Sequence, residues 1–139
     1  MLAVSFVIMY AITFLDVDQF DHVYINMTRF YMALLMISAM ALVMLSMMRM
    51  MYQNKRLNTI VVASSVAVFL LALAGVRTQT GVGDVQYMKG MIPHHSIAIM
   101  TSKNADIKDP EVKKLSQSII DAQEKEIAQM KQILARMNK

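Results

Sequence analysis

The chain has 139 residues, a net charge of +4, sixteen methionines, no cysteine and 56% apolar residues. Without cysteine there are no disulfides, no thiolate zinc sites and no thiol catalysis. The positive charge is diffuse, with basic and acidic residues alternating after residue 77, so no nucleic-acid footprint is present.

Residues 1–76 carry only seven charges (Asp16, Asp18, Asp21, Arg29, Arg49, Lys55 and Arg56) among long apolar runs. This part reads as membrane, and residues 77–139 as a small polar helical domain. Met1–Leu15 covers roughly 22 Å as a helix, short of a ~30 Å hydrocarbon core. It is expected to be a first transmembrane helix, with a signal peptide as the competing reading. It lacks the basic start and small-residue cleavage site that a signal peptide shows.

Asp16–Arg29 reads as a polar loop. Its Asp16, Asp18, Asp21 and His22 could hold a divalent ion or form a solvated boundary. Asn26-Met27-Thr28 matches a glycosylation sequon, a short pattern with many false positives. The second span is expected over residues 30–50 and the third over 59–76, with Arg29 and Arg49 snorkelling at the ends of the second. Lys55 and Arg56 lie in the turn between them, so the positive-inside rule puts Tyr52–Asn58 in the cytoplasm. The acidic loop and everything after Arg77 then lie outside.

Met32, Met36, Met40, Met44, Met47, Met50 and Met51 fall within an arc of about 120° on the second span. Two readings stand. The thioethers form a ladder that passes a soft ion, or they pack adaptably against the other helices.

Residues 77–83 form a linker, with Gly81 and Gly83. A helix is expected from Asp84 or Val85 to about Ala105, kinked or restarted at Pro93, whose ring clashes with the carbonyl four residues back. Asp109-Pro110-Glu111 is a helix start: an acid at the N-cap, proline in the first turn, then another acid. The last helix runs from Pro110 to about Met137. Its apolar seam is Val112, Leu115, Ile119, Ala122, Met130, Ile133 and Met137, with Glu126 filling one slot.

Met88, Met91 and His95 share a face of the penultimate helix. His94 lies one residue off that face, and Met100 one to two turns further on. Thioethers suit soft copper(I), and imidazole suits copper, zinc, iron and nickel. The stripe reads as a copper(I) or silver(I) site, or as a Met-rich core with two hydrogen-bonded histidines. Gln123 and Glu126 lie on the seam of the last helix, with Met130 one turn on. Glu126 is costly there unless paired, and His94 or His95 on the facing helix is a natural partner. A carboxylate behind a metal-bound imidazole is a common arrangement. No Ser/His/Asp order, phosphate loop or diiron carboxylate set occurs, and no catalytic residue is nominated.

The run Met91-Ile-Pro-His-His through Met100, then Asp109-Pro-Glu and Gln123-x-x-Glu126-Ile-x-x-Met130, resembles the family of the domain of unknown function 305 over roughly residues 84–137. Asp16-x-Asp-x-Phe-Asp, Phe30-Tyr-Met and Met51-Tyr-x-Asn-Lys are similar to its membrane-anchored branch. The resemblance implies a ferritin-like helical hairpin outside the inner membrane of a bacterium. It also implies copper or silver binding for tolerance, as in some relatives. By position it nominates Met88, Met91, His94, His95, Met100 and Met130 as ligands.

The expectation is an all-α protein with three membrane helices and an extracytoplasmic hairpin over 84–139. Two copies would pair into a four-helix bundle, because one hairpin buries little core. The expected function is copper(I) or silver(I) buffering, delivery or tolerance, with a copper-handling protein as partner. The alternative is a non-catalytic interaction module in which the His pair is a packing and hydrogen-bond network. A metal-dependent oxidoreductase is a third class.

Overall fold

The computed structural model describes residues 2–48 and 53–137. The expectations for Met1, Arg49, Met50, Met51 and Tyr52 lie outside these residues. The described chain is all-helical: α1 Leu2–Ile12, α2 Met27–Met47, α3 Lys55–Thr78, α4 Asp84–Asn104 and α5 Pro110–Met137, with one 3-10 turn at Phe20–His22. It divides into two compact units. The first holds the residues up to Ala11 with Met27–Gly81; the second holds Ile12–Asn26 with the chain from Val82 onward.

In the first unit, two helices are long and apolar enough to cross a membrane, not the three expected. At 1.5 Å per residue, α2 and α3 reach roughly 32 and 36 Å. The 11 residues of α1 reach roughly 16 Å, because the run ends in a turn after Ile12. Only 22% and 17% of the apolar windows of α2 and α3 are buried, so most of their apolar surface is uncovered by protein.

The buried residues of α2 and α3 are mostly small: Ala33, Ser38 and Ala41 beside Ile37 on one side, Ser65, Ala72 and Gly75 on the other. Small residues let helix backbones approach closely. A Cβ on Gly75 would lie 3.0 Å from Cε1 of Tyr31, so glycine is what makes room for that ring. The Tyr31 hydroxyl then donates to the Thr80 carbonyl at 2.7 Å. Of the methionine stripe, Met32, Met36, Met40 and Met47 are exposed and Met44 is half-buried. Asn54 caps α3 through Leu57 N–H, which puts Lys55 and Arg56 in its first turn rather than in a loop.

In the second unit, α4 and α5 form a hairpin. α4 continues through Pro93, without the restart the proline suggested. Asp109 caps α5 as its sequence signalled, accepting from the N–H groups of Glu111 and Val112 at 2.9 Å each. The core is Met88, Ile92 and Ile99 of α4 against Ile127 and Leu134 of α5, with Ile120, Met130 and Ile133 beside them.

That core corrects the expected seam. The packed face of α5 runs through Ser116, Ile120, Ile127 and Leu134, about one residue's rotation from the seam read from the sequence. The adjacent pairs Ile119-Ile120 and Ile133-Leu134 offer two registers, and the helix uses the second. Val112 and Leu115 are left exposed.

The segment before α2 is solvated only in part, with Phe20 and Ile25 exposed. His22 and Asn26 are buried, and α2 begins at Met27, inside the segment read as loop. Asn26 is 2% exposed and its amide donates to the Tyr24 carbonyl, so the sequon is closed to glycosylation in this fold.

Candidate functional site

An open groove of about 710 Å³ lies between α4 and α5. Met88, Met91 and His95 enter from α4, and Glu126, Met130 and Met137 from α5. Asp84, Tyr87, Gln129, Ile133 and Arg136 complete its walls. The arrangement follows from helix geometry. On α4, Met88, Met91 and His95 fall within about 60° of one another, because residues three and four apart share a face. On α5, Glu126, Met130, Ile133 and Met137 form the seam that the rotated packing leaves open toward the groove.

The nominated residues therefore separate into two groups. Met88, Met91, His95 and Met130 come together, with Glu126 beside them. His94, Met100 and Gln123 do not line the groove. His94 is about 100° around α4 from His95 and is exposed, with the two rings 6.3 Å apart. Met100 is turned away by a similar argument. Met137 was not nominated, although its place seven residues after Met130 on the same seam was a usable signal.

His95 is held at both ring nitrogens. Nδ1 lies 2.9 Å from the Met91 carbonyl, which only accepts, so Nδ1 carries a hydrogen and donates. Nε2 lies 2.7 Å from Glu126 Oε2. One proton sits between these two atoms, and an ion reaching Nε2 would take its place. Glu126 is paired as anticipated, but within its own chain. Its side chain is 53% exposed in the single chain. Among the described residues no three His, Asp or Glu side chains gather as a metal-holding group. What the groove concentrates is sulfur.

A second imidazole is tied on the other side of α4. Ser96, fully buried, accepts from the Asp18 backbone N–H at 2.7 Å and lies 2.9 Å from His22 Nδ1. Asp21 Oδ1 is 3.6 Å from His22 Nε2. Serine, histidine and aspartate thus meet, in an order the sequence does not advertise. A sealed Ser96 cannot reach a substrate, so the cluster is structural. The loop acids are taken by lysines: Asp18 pairs with Lys103 at 3.1 Å, and Asp21 accepts from Lys131. The Lys131 hydrogen bond holds the Asp21 carboxyl below the usual range, and the Asp18 hydrogen bond raises Lys103. Burial pushes the His22 imidazole down. These pairings engage Asp18, Asp21 and His22, and among the described residues Asp16 does not join them in a metal-holding group, which overturns the divalent-ion reading.

No solved structure matches the chain. An uncharacterised protein of Acanthamoeba polyphaga mimivirus is 34% identical over 137 residues, covering 96% of this chain and 88% of that one. The model of the domain of unknown function 305 (DUF305) matches residues 38–134. The match extends beyond the hairpin to the second half of α2 and all of α3, a wider span than residues 84–137. Neither description names a reaction. With the family model covering well over half its length, the chain belongs to the DUF305 family.

Proposed function

We propose that the groove between α4 and α5 binds a soft monovalent ion, copper(I) or silver(I). The observation that carries this reading is that four thioethers, Met88, Met91, Met130 and Met137, line one groove with one imidazole, His95, and that Met91 and Met130 each lie one helical turn from the His95–Glu126 pair. Thioethers favour copper(I) over harder divalent ions, and zinc rarely uses them. The Met91 carbonyl fixes the His95 tautomer so that Nε2 is the ligating atom. Glu126 stays ionised and neutralises the incoming charge, and the displaced proton leaves to solvent through the open groove. The protein acts as a metal buffer, carrier or tolerance factor, not as an enzyme.

In this reading α2 and α3 anchor the chain in a membrane, with Lys55 and Arg56 on the cytoplasmic side. The hairpin then lies outside, in the periplasm if the membrane is a bacterial inner one. Two hairpins pair into a ferritin-like four-helix bundle that covers the exposed Val112 and Leu115, and a copper-handling protein delivers or collects the ion.

Titration of the purified protein with copper(I) against a competing chelator tests the site. Tight binding that exceeds zinc binding supports it; no competition overturns it. A second reading has an observation of its own: both ring nitrogens of His95 are already hydrogen-bonded. In that reading the groove is an interaction module without metal, and His95→Ala loosens the hairpin while copper(I) titration finds nothing to lose.

A further inference from the structure

The His22–Ser96 contact is independent of the metal groove. It joins the segment Ile12–Asn26 to the middle of α4, across 74 residues of sequence. Its hydrogen accounting is restrictive. Ser96 Oγ accepts from Asp18 N–H, and the serine has a single hydrogen to give. Donation of that hydrogen to His22 Nδ1 satisfies both groups, and it requires a neutral ring with its own hydrogen on Nε2. Nε2–H then points toward Asp21 Oδ1, at 3.6 Å too long for a hydrogen bond.

Placing a second proton on Nδ1 destroys this arrangement. The serine hydrogen loses its acceptor inside a fully buried site, and an unpaired buried hydroxyl is costly. The charged ring is also taken out of water, since His22 is only 5% exposed. The surrounding charges do not rescue it. Asp21 and Asp18 favour the cation from the segment itself. Lys131 of α5 and Lys103 of α4 oppose it, and each is already paired with one of those acids. Glu124 of α5 binds Lys103 at 3.4 Å.

We propose that the His22–Ser96 contact is an acid-released clamp, which holds the Ile12–Asn26 segment on α4 at neutral pH and lets it go when His22 takes a proton. The sign follows from linkage. Burial, then Lys131, depress the His22 pKa in the docked state, so the released segment binds the proton more readily. Docking is at full strength above the ordinary histidine value of 6.5 and weakens as pH falls through it. The loss levels off once the docked ring itself titrates. One proton changes the opening equilibrium by at most about tenfold per pH unit. The Lys131 hydrogen bond holds the Asp21 carboxyl below the usual range, so protonation of that acid does not drive the release in this window.

Hydrogen exchange of the full chain in lipid nanodiscs reads the clamp through the Asp18 amide, which donates to Ser96 only when the segment is docked. Its protection factor, corrected for intrinsic exchange, is expected to fall several-fold between about pH 6.5 and pH 5.5, with a ceiling near tenfold. The Ile99 amide in the hairpin core is expected to keep its protection. His22→Asn places a non-titrating oxygen near the position of Nδ1, and it should keep Asp18 protected at both pH values. Ser96→Ala should expose the Asp18 amide at both. Should His22→Asn not dock, the imidazole 15N shifts of the parent decide. The docked ring is expected to be the Nε2–H tautomer and to titrate below 6.5. A ring that titrates at or above that value, or an Asp18 amide whose protection ignores pH, overturns the proposal.

Discussion

His95 Nε2 lies 2.7 Å from Glu126 Oε2, so the single imidazole of the groove is tied across the hairpin by the proton that a metal ion would displace. His94, its neighbour in sequence, faces solvent. The tandem histidines should therefore behave differently. His95→Ala is expected to lower copper(I) affinity by more than the ~10–100-fold typical of losing a group behind a ligand. His94→Ala should leave it within a few-fold. Chelator competition on both variants checks this, and equal losses would place the site elsewhere.

Glu126 supports the ring without binding the core. Glu126→Ala is expected to weaken copper(I) binding about 10–100-fold. Its side chain is half exposed, so the same change should alter unfolding stability by no more than about 0.5 kcal/mol. Glu126→Leu should leave the hairpin at least as stable while still impairing binding, since a carboxylate–imidazole pair is often no better than packing. Thermal melting and metal titration of the two variants separate the roles.

Met130 and Met137 supply sulfur from α5. Replacing either by Leu keeps the volume nearly constant and should cost less than about 1.5 kcal/mol of stability. The Met130 replacement, one turn from Glu126, should nevertheless lower silver(I) and copper(I) affinity while leaving any weak zinc binding unchanged, and the Met137 replacement, about 16 Å along α5 from Glu126, should have the smaller effect. Parallel titrations with the three ions read the selectivity directly.

The packed face of α5 can be tested against the face that its sequence suggested. Ile127→Ala removes a side chain that is 4% exposed and is expected to cost about 2–5 kcal/mol. Leu115→Ala alters one that is 58% exposed and should change the stability of the isolated chain by about 0.5 kcal/mol or less. A large loss at Leu115 in a concentration-dependent melt would report the second copy covering that stripe.

Membrane orientation rests on Lys55 and Arg56 at the start of α3. A reporter active only in the cytoplasm should work when fused after Lys55 and fail when fused after Lys139. The reverse pattern would put the hairpin inside and remove the extracytoplasmic role.

Helical class, the cap at Asp109 and the sharing of a face by Met88, Met91 and His95 were all legible, because each depends on spacing or local chemistry within one helix. Three features were not. Which of two adjacent apolar registers α5 buries depends on how α4 meets it, and Ile119-Ile120 permits both. The exposure of His94 beside a buried His95 follows from the same rotation. The docking of His22 on Ser96 joins residues 74 apart in sequence, and no periodicity signals it. A run of fifteen apolar residues resembled a span, yet its helix stops at Ile12 where the chain turns.

The small-residue contact between α2 and α3 divides these two helices into positions that can drift and positions that cannot. Met32, Met40, Leu70 and Leu71 are exposed within their unit, so other apolar side chains can serve there. Ala33, Ala41, Ala72 and above all Gly75 set the distance between two backbones, and each added methyl group there must displace a neighbour such as the Tyr31 ring. Across distant relatives, hydropathy along α2 and α3 should therefore persist while identity scatters, with the smallest residues in the spans holding their places longest.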